Sequence, residues 1–209
     1  MNEHLSQNYY YSNWMGSNLL RSWEEIIGDR GMVALLSAAK LPEWIENYPP
    51  RNMQREFSFD HISRLQTTVE ELYGRQCGHG LALRAGRVFF NYILRELGDQ
   101  IGLNDIEFRL LPLGKKTRRG LQLLADIFNE SSDQQVRAID VEHLAWQIDC
   151  CPFCWNRHSE IPTCHTMVGF LQEAVYWING GKHFPVTETA CIAAGDPSCV
   201  LTIGQKPIE

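Results

Sequence analysis

Residues 164–199 read CHTMVGFLQEAVYWINGGKHFPVTETACIAAGDPSC and carry the most informative pattern of the chain. A cysteine stands at a predicted helix start, an apolar helix follows, and a Glu-x-x-Cys and a final cysteine close the stretch. Zinc binds thiolate sulfur and carboxylate oxygen, and structural zinc sites are tetrahedra with four protein ligands. This stretch supplies four such side chains, namely Cys164, Glu188, Cys191 and Cys199. We therefore predict a closed, structural metal site near the C-terminus.

The same stretch resembles the 4-vinyl reductase-like domain, a family of hydrocarbon-binding domains. The matching positions are Cys164, Gly169, Phe170, Glu188, Thr189, Cys191, Gly195, Asp196 and Cys199. The family includes a protein of bacteriochlorophyll biosynthesis and the phenol-sensing domains of bacterial regulators. In its sensor members a cysteine, the glutamate and two further cysteines bind zinc, which implies zinc on the matching four residues here. The motif covers about the last fifth of the chain, and the likeness is looser from Gly80 to Cys154.

The resemblance also carries expectations about fold, ligand and partners. It implies an antiparallel sheet packed with helices, as in the NO-signalling and Golgi-transport ligand-binding fold, and a homodimer. The ligand would be a hydrophobic small molecule, with a tetrapyrrole such as a chlorophyll precursor preferred. Proteins of pigment synthesis or photosystem assembly would then be the partners.

The pattern of elements along the chain agrees with that fold class. Apolar residues recur at helical spacing through most of the first 130 residues, whereas from Val136 onward alternation with period two predicts a strand. A helix over 164–178 and two strands joined by a Gly-Asp-Pro-Ser turn follow. This order indicates an α+β fold with an antiparallel sheet. We predict an N-terminal helical extension over residues 1–79, beginning with a loose polar arm to about residue 16, and a ligand-binding domain over residues 80–209.

Composition narrows the class of protein further. The net charge of −6 argues against a nucleic-acid partner, because phosphates require a basic face. No apolar run approaches the ~20 residues that span a bilayer, and the polar start does not resemble a signal peptide. A basic cluster before a predicted helix allows at most peripheral membrane contact or an acidic partner; it consists of Lys115, Lys116, Arg118 and Arg119. Seven cysteines, several in close sets, suit a reducing compartment, so we predict a cytoplasmic protein.

A second set of cysteines lies at Cys150, Cys151 and Cys154. The Cys-x-x-Cys spacing of the last two is compatible with a metal site or a redox pair, and spacing alone does not separate them. The pair is also compatible with ligands to the first metal, with an iron–sulfur cluster, or with buried thiols that have no role.

Aromatic residues surround the predicted strand and helix that flank the metal motif. We expect them to line a ligand pocket, because apolar pockets bury most of a ligand and need few polar anchors. The pocket candidates are His143, Trp146, Trp155, Phe170 and Trp177. His143 and His79 are also candidate axial ligands of a tetrapyrrole metal.

The sequence leaves three functions open. A zinc-stabilised carrier or binding protein is the first, since phosphate-binding, dinucleotide-binding and serine-hydrolase signatures are missing. A reductase, or its accessory subunit, acting on a vinyl-bearing chlorophyll precursor is the second, and whether the chain is an enzyme stays open. A regulatory or assembly protein that acts by protein contact is the third.

Overall fold

The computed structural model describes residues 8–140 and 143–208. The helices are α1 (Asn13–Ala38), α2 (Glu43–Glu46), α3 (Phe59–Tyr73), α4 (Arg75–Leu97), α5 (Ile106–Leu110), α6 (Leu113–Ser131) and α7 (His165–Ile178). The strands are β1 (Tyr10–Ser12), β2 (Arg55–Ser58), β3 (Val136–Asp140), β4 (Leu144–Ile148), β5 (Val186–Ala190) and β6 (Cys199–Ile203). Helices precede an antiparallel sheet that α7 packs against, which confirms the predicted α+β class.

The main sheet has the strand order β3-β4-β6-β5, and each neighbouring pair is antiparallel. Strand β4 pairs with β6 so that Ile148 lies opposite Cys199. The register of β5 against β6 shifts between Glu188 and Ala190. Such an irregularity bends a strand and re-aims its side chains. The end of β4 and the start of β6 are therefore adjacent, and β5 bends toward them just before Cys191.

Helices α4 and α7 pack at backbone distance through two glycines. A Cβ added at Gly86 would lie 1.9 Å from the carbonyl oxygen of Thr166, and one added at Gly169 would lie 2.0 Å from that of Leu83. No other residue fits either position without moving a helix, since atoms in a packed interior have no such space. Phe170, beside Gly169, is fully buried in the core. Helix packing thus accounts for Gly169 and core burial accounts for Phe170, the Gly-Phe pair of the C-terminal motif.

The predicted loose arm at the N-terminus is structured where the model describes it. Residues 1–7 lie outside the described residues, whereas Tyr10–Ser12 forms β1 and α1 begins at Asn13. Tyr11 is fully buried, and its hydroxyl donates to Oε1 of Gln134 at 3.0 Å. A buried tyrosine contributes a large apolar ring and satisfies its hydroxyl at the same time. Burial of its aromatic residues therefore keeps this stretch structured despite its many polar residues.

Glycines mark two helix boundaries. Gly28, with φ 74°, interrupts α1 between its two helical segments. Residues 75–80, whose two glycines favour a turn, instead form the first turns of α4. The reversal occurs at Gly74, with φ 78°, a conformation that glycine adopts without strain. Gly78 serves packing, because an added Cβ would lie 2.9 Å from the Cα of Glu70.

The basic cluster lies inside α6 and not before a helix. One of its members, Arg118, forms an ion pair with Asp140 at the end of β3. Among the described residues, the model contains no helix whose length and apolar character would let it cross a membrane.

A continuous hydrophobic core extends across the predicted boundary at residue 80. It includes Trp23 and Phe59 from the N-terminal helices together with Phe89, Phe128 and Trp146. The rings of Phe59 and Phe128 both lie against Tyr11, at 5.5 and 6.4 Å between centroids. The division into residues 1–79 and 80–209 stays a prediction.

Candidate metal centre and apolar cavity

Six buried or nearly buried donor side chains meet where α7 begins. We call them the thiol cluster: Cys151, Cys154, Cys164, Glu188, Cys191 and Cys199. Cys164 is the residue before the first turn of α7, Cys191 follows β5, and Cys199 begins β6. The four residues predicted from the C-terminal motif are thus brought together by one helix start and one hairpin.

The two remaining cysteines arrive from β4. Cys151 precedes a short 3-10 turn, Pro152–Cys154, just beyond the end of that strand, and Cys154 is the last residue of the turn. Because Ile148 pairs with Cys199, the chain that continues from β4 passes directly beside the start of β6. Cys151 and Cys154 therefore join the first set and do not form a separate site, whereas Cys150 of the second set is only partly buried and lies outside the thiol cluster.

The sulfur atoms lie at mutual contact distance. Cys154 Sγ is 3.2 Å from that of Cys164, 3.4 Å from that of Cys191 and 3.4 Å from that of Cys199. The sulfurs of Cys164 and Cys199 are 3.6 Å apart, and Cys151 Sγ is 3.3 Å from Cys164 Sγ. Apart from Cys151, the ligand atoms of the thiol cluster all lie within 4.8 Å of one another.

These separations fit a single tetrahedral ion. Zn–S bonds of ~2.3 Å place the sulfurs of a tetrahedron about 3.8 Å apart. The sulfurs of Cys154 and Cys164, at 3.2 Å, need to spread by only about half an ångström. An iron–sulfur cluster distributes its four cysteines over two or four irons, which requires the sulfurs on different irons to lie much further apart. The donor set therefore suits one zinc-like ion better than the iron–sulfur alternative.

Glu188 reaches the thiol cluster because β5 bends beyond it. Its Oε2 accepts a hydrogen bond from the backbone N–H of Cys164 at 2.7 Å. Its Oε1 is buried, and no hydrogen-bond partner for it exists among the described residues. The side chain is 8% exposed. A carboxyl with one buried, unpartnered oxygen next to thiols fits a position in or beside a metal shell.

Backbone and hydroxyl donors surround the sulfurs. The N–H of Ile192 donates to Cys199 Sγ at 3.3 Å, and the hydroxyl of Thr163 lies 3.6 Å from Cys154 Sγ. Asp196, in the turn of the hairpin, accepts from the N–H of Cys191 at 2.7 Å. Hydrogen bonds of this kind orient ligands and disperse the charge of a thiolate-rich metal site.

Without a metal, the buried thiols cannot all ionise, and their pKa values diverge. Burial raises the pKa of Cys151 to about 11 and raises that of Cys164 well above its ordinary value. Hydrogen bonding, first with Cys151, raises the pKa of Cys199. Hydrogen bonds from the surrounding thiols, with Cys151 again first, lower the pKa of Cys154 far below its usual range. Protons on Cys164 and Cys199 must therefore leave before both bind a metal.

The pKa of the Glu188 carboxyl is also raised in the absence of a metal. Burial raises its pKa to about 9, and negative charge on Cys191 adds to the shift. The carboxyl is therefore protonated near neutral pH when no cation is present. A bound cation would favour its ionised form.

Helix α3 braces the loop that carries the cysteines. The side-chain amide of Gln66 donates to the carbonyl of Thr163 and accepts from the hydroxyl of Thr166 at 3.0 Å. The hydroxyl of Ser63 donates to the carbonyl of Trp155 at 2.6 Å. These buried contacts fix the backbone on both sides of the thiol cluster, as preorganised ligands require.

The predicted pocket residues are not brought together. Trp146 and Phe170 are fully buried, with rings 6.4 Å apart, and belong to the filled core. Trp155 packs on Tyr9 at 5.2 Å between ring centroids, at the other side of the thiol cluster. Trp177 lies on the far side of α7, 6.4 Å from Phe90. Ring contacts fill the space around these residues, but Nε1 of Trp146 is buried and has no hydrogen-bond partner among the described residues.

The fifth candidate, His143, lines an apolar cavity of about 300 Å³ at the opposite end of α7. Its apolar walls come from α6, β4, α7 and β6 and from the loop before β5, and include Leu113, Leu144, Val175, Phe184 and Ile203. Two other hollows, of about 390 and 420 Å³, are lined mainly by charged and polar residues. We refer to the space of about 300 Å³ that His143 lines as the apolar cavity.

The polar residues that line the apolar cavity form three pairs, one of which is the ion pair of Arg118 with Asp140. The Thr117 hydroxyl donates to Asn179 Oδ1 at 2.9 Å, and both residues are buried. At the rim, Gln205 lies 3.2 Å from Nδ1 of His143. No sequence pattern indicates a role for Thr117 or Asn179, because polar residues near helix ends are usually solvated. Their convergence depends on how α6 packs against α7.

His79, the other candidate axial ligand, lies elsewhere. Its ring contacts that of His165 at 3.8 Å between centroids, with the ring planes tilted by 33°. Burial lowers the pKa of both histidines, that of His165 to about 4. Both are therefore neutral at pH 7, which lets the two rings lie in contact without charge repulsion.

Comparisons with known proteins place this architecture. No family model and no curated protein matches the sequence. The structure of an H-NOX protein from S. oneidensis in the Fe(II)NO ligation state matches with a TM-score of 0.55 at 11% identity, over 92% of this chain and 99% of that one. The phenol-responsive sensory domain of the transcription activator PoxR, with phenol, matches at 0.49 and 19% identity, over 72% and 77% of the two chains.

A vinyl-4-reductase family protein from Methanocaldococcus jannaschii also matches, with a TM-score of 0.36 at 16% identity over 61% of this chain and 91% of that one. At these identities the similarity concerns the fold and not the ligand. The H-NOX match, which spans nearly the whole of both chains, confirms the predicted fold.

Proposed function

We propose that this chain is a binding protein for a small hydrophobic molecule held in the apolar cavity. A zinc ion in the thiol cluster stabilises the elements that form the cavity walls. One observation carries the proposal: α7 and β6 each run from the thiol cluster to the apolar cavity. Cys164 precedes α7 and Cys199 begins β6, whereas Val175 and Ile203, further along the same elements, line the cavity.

The walls of the apolar cavity indicate the class of ligand. Ligand sites are mostly apolar, with a few polar groups that fix orientation, and span ~300–1,000 Å³. A volume of about 300 Å³ suits one or two rings better than a tetrapyrrole macrocycle. The Thr117–Asn179 pair and the rim histidine, His143, would recognise a single hydroxyl or carbonyl group. The tetrapyrrole and the pigment-synthesis setting stay predictions of the resemblance.

The proposed mechanism is capture without chemistry. Residues fixed by a metal at one end of α7 hold the cavity walls in place, so the ligand does not have to order them. Preorganisation of this kind lowers the entropic cost of binding. Zinc supplies cross-linking between the helix start and the hairpin, and the protein residues supply all contacts to the ligand.

Titration with p-cresol, a single ring with one hydroxyl, tests the proposal. Leu113→Trp would place an indole in the cavity mouth, and Leu72→Trp is a matched control on α3, since the two leucines are 43% and 50% exposed. We expect wild type and Leu72→Trp to bind p-cresol in calorimetry, and Leu113→Trp to bind at least about tenfold more weakly, because its added ring occupies the site. Equal binding by all three proteins, or by none, would reject the cavity as the site.

Elemental analysis and an absorption spectrum of the purified protein test the remaining parts. One zinc per chain is the expected result. A Soret-like band would instead support the tetrapyrrole, and a broad iron–sulfur absorption with iron present would overturn the zinc site.

A further inference from the structure

The thiol cluster offers more donors than a tetrahedral ion takes. The resemblance assigns the fourth position to the carboxylate of Glu188, but this chain also places Cys154 among the same sulfurs. Taking the proposed metal site as given, we infer that the fourth ligand is the sulfur of Cys154. The ion then has a shell of four sulfurs, and Glu188 lies outside it.

Cys154 has the position of a ligand. Its sulfur lies within 3.4 Å of those of Cys164, Cys191 and Cys199, so it contacts every other sulfur of the tetrahedron. The side chain is 2% exposed, and apart from these sulfurs and that of Cys151 its polar neighbour is the hydroxyl of Thr163 at 3.6 Å. Several thiolates at these distances repel one another strongly, so a cation among them is what would let all four sulfurs ionise.

Glu188 has the position of an orienting group. It accepts at 2.7 Å from the backbone N–H of Cys164, a residue that is itself a ligand. Carboxylates that hydrogen-bond a ligand residue typically orient it from outside the metal shell. Oε1 of Glu188 is the one competing oxygen, because it is buried near the sulfurs and no partner for it exists among the described residues. Soft ions such as Zn²⁺ favour thiolate over carboxylate where both are within reach.

Cys151 provides an internal control. Its sulfur touches Cys164 at 3.3 Å, yet it does not belong to the set whose ligand atoms all lie within 4.8 Å of one another. It is buried like Cys154 and comes from the same short turn. A serine at position 151 therefore perturbs the packing of the thiol cluster without removing a sulfur from the shell.

Absorption spectra of the cobalt-substituted protein test which side chains bind the metal. Co²⁺ replaces zinc in tetrahedral sites, and its visible bands report how many thiolates bind it. We expect Cys154→Ser to lose about one quarter of the sulfur-to-metal charge-transfer intensity and to shift the d–d bands, because one of four thiolates is gone. Glu188→Gln, which keeps an oxygen to accept from Cys164, and Cys151→Ser should leave the bands unchanged.

Two results would overturn the inference: band shifts in Glu188→Gln with none in Cys154→Ser, or a loss in Cys151→Ser equal to that in Cys154→Ser. X-ray absorption of the unmutated zinc protein covers the case in which Cys154→Ser fails to fold. Four sulfurs at ~2.3 Å support the inference, and three sulfurs with one oxygen at ~2.0–2.2 Å overturn it. A wild-type protein that binds no metal at all would instead reject the proposed metal site itself.

Discussion

The two ends of α7 differ in the side chains that surround them. At its start, buried sulfurs lie 3.2–3.6 Å apart around one point, with donors on the neighbouring backbone. At its other end, roughly 20 Å away along a helix of 14 residues, apolar walls enclose about 300 Å³. The first end brings together donor side chains that a metal ion would cross-link, whereas the second end leaves space for a ligand. Under the proposed function, rigidity at the first end supports recognition at the second.

Metal removal is the largest perturbation that we expect at the sulfur end. Unfolding by guanidinium in reducing buffer, with and without a strong zinc chelator, should show a stability loss of more than about 4 kcal/mol, because buried thiols lose their only cross-link. Binding of p-cresol should weaken in parallel if the metal supports the cavity walls.

Cys77→Ser is the control for this experiment, since Cys77 is exposed on α4 and outside the thiol cluster. Its stability and its response to the chelator should equal those of wild type. Unchanged p-cresol binding after complete zinc removal would show that the two ends of α7 are independent.

Helix α4 packs closely against the start of α7, and Gly86→Ala on α4 disrupts that contact. The added methyl group would meet the Thr166 carbonyl at 1.9 Å, a contact with backbone that only a helix shift relieves. We expect a loss of about 3 kcal/mol in the free energy of unfolding, at the upper end of overpacking costs. Gly80→Ala in the same helix has open space around its Cβ and should be stabilising by ~0.5–1 kcal/mol. Denaturant melts of both variants provide the measurement, and similar stabilities would contradict the close packing.

A change of pH should affect zinc binding at one end of α7 but not p-cresol binding at the other. The raised pKa values of Cys164 and Cys199 mean that both thiols carry protons when the site holds no metal. Zinc must displace these protons, so its affinity should rise about a hundredfold per pH unit between pH 6 and 8, with about two protons released. Competition against a chelator of known pH dependence measures the slope, and p-cresol affinity of the zinc-loaded protein should change little. A flat zinc affinity would mean that the thiols are already ionised.

The sequence alone predicted the sulfur end far better than the cavity end. Glu188, Cys191 and Cys199 are close in sequence, and a hairpin brings them back to Cys164, so local signals suffice. The role of Cys154 depends on which strand lies beside β6, because only the pairing of Ile148 with Cys199 brings it to the site. Long-range pairing of this kind leaves no mark on a single sequence.

The aromatic residues show why the cavity was harder to predict. Trp146 and Phe170 have the composition of pocket walls, yet they interlock with Phe128 at 5.7 and 5.2 Å between ring centroids. Composition cannot separate a filled core from a cavity, since both are lined by the same residue types. Strands β1 and β2 were missed for a related reason: at three and four residues they are too short to show a period.

Thr117→Val is the mildest test, and it addresses the cavity end alone. The substitution keeps the shape of the side chain but removes the hydroxyl that donates to Asn179 at 2.9 Å, so a buried amide oxygen loses a partner. We expect a stability loss of about 1 kcal/mol with zinc binding unchanged, because the residue lies far from the thiol cluster. Thr189→Val, at an exposed position of β5 near that cluster, should stay within about 0.5 kcal/mol of wild type. A zinc affinity that falls in Thr117→Val would mean that the apolar cavity and the thiol cluster form one cooperative site, since a change confined to one end of α7 would then be felt at the other.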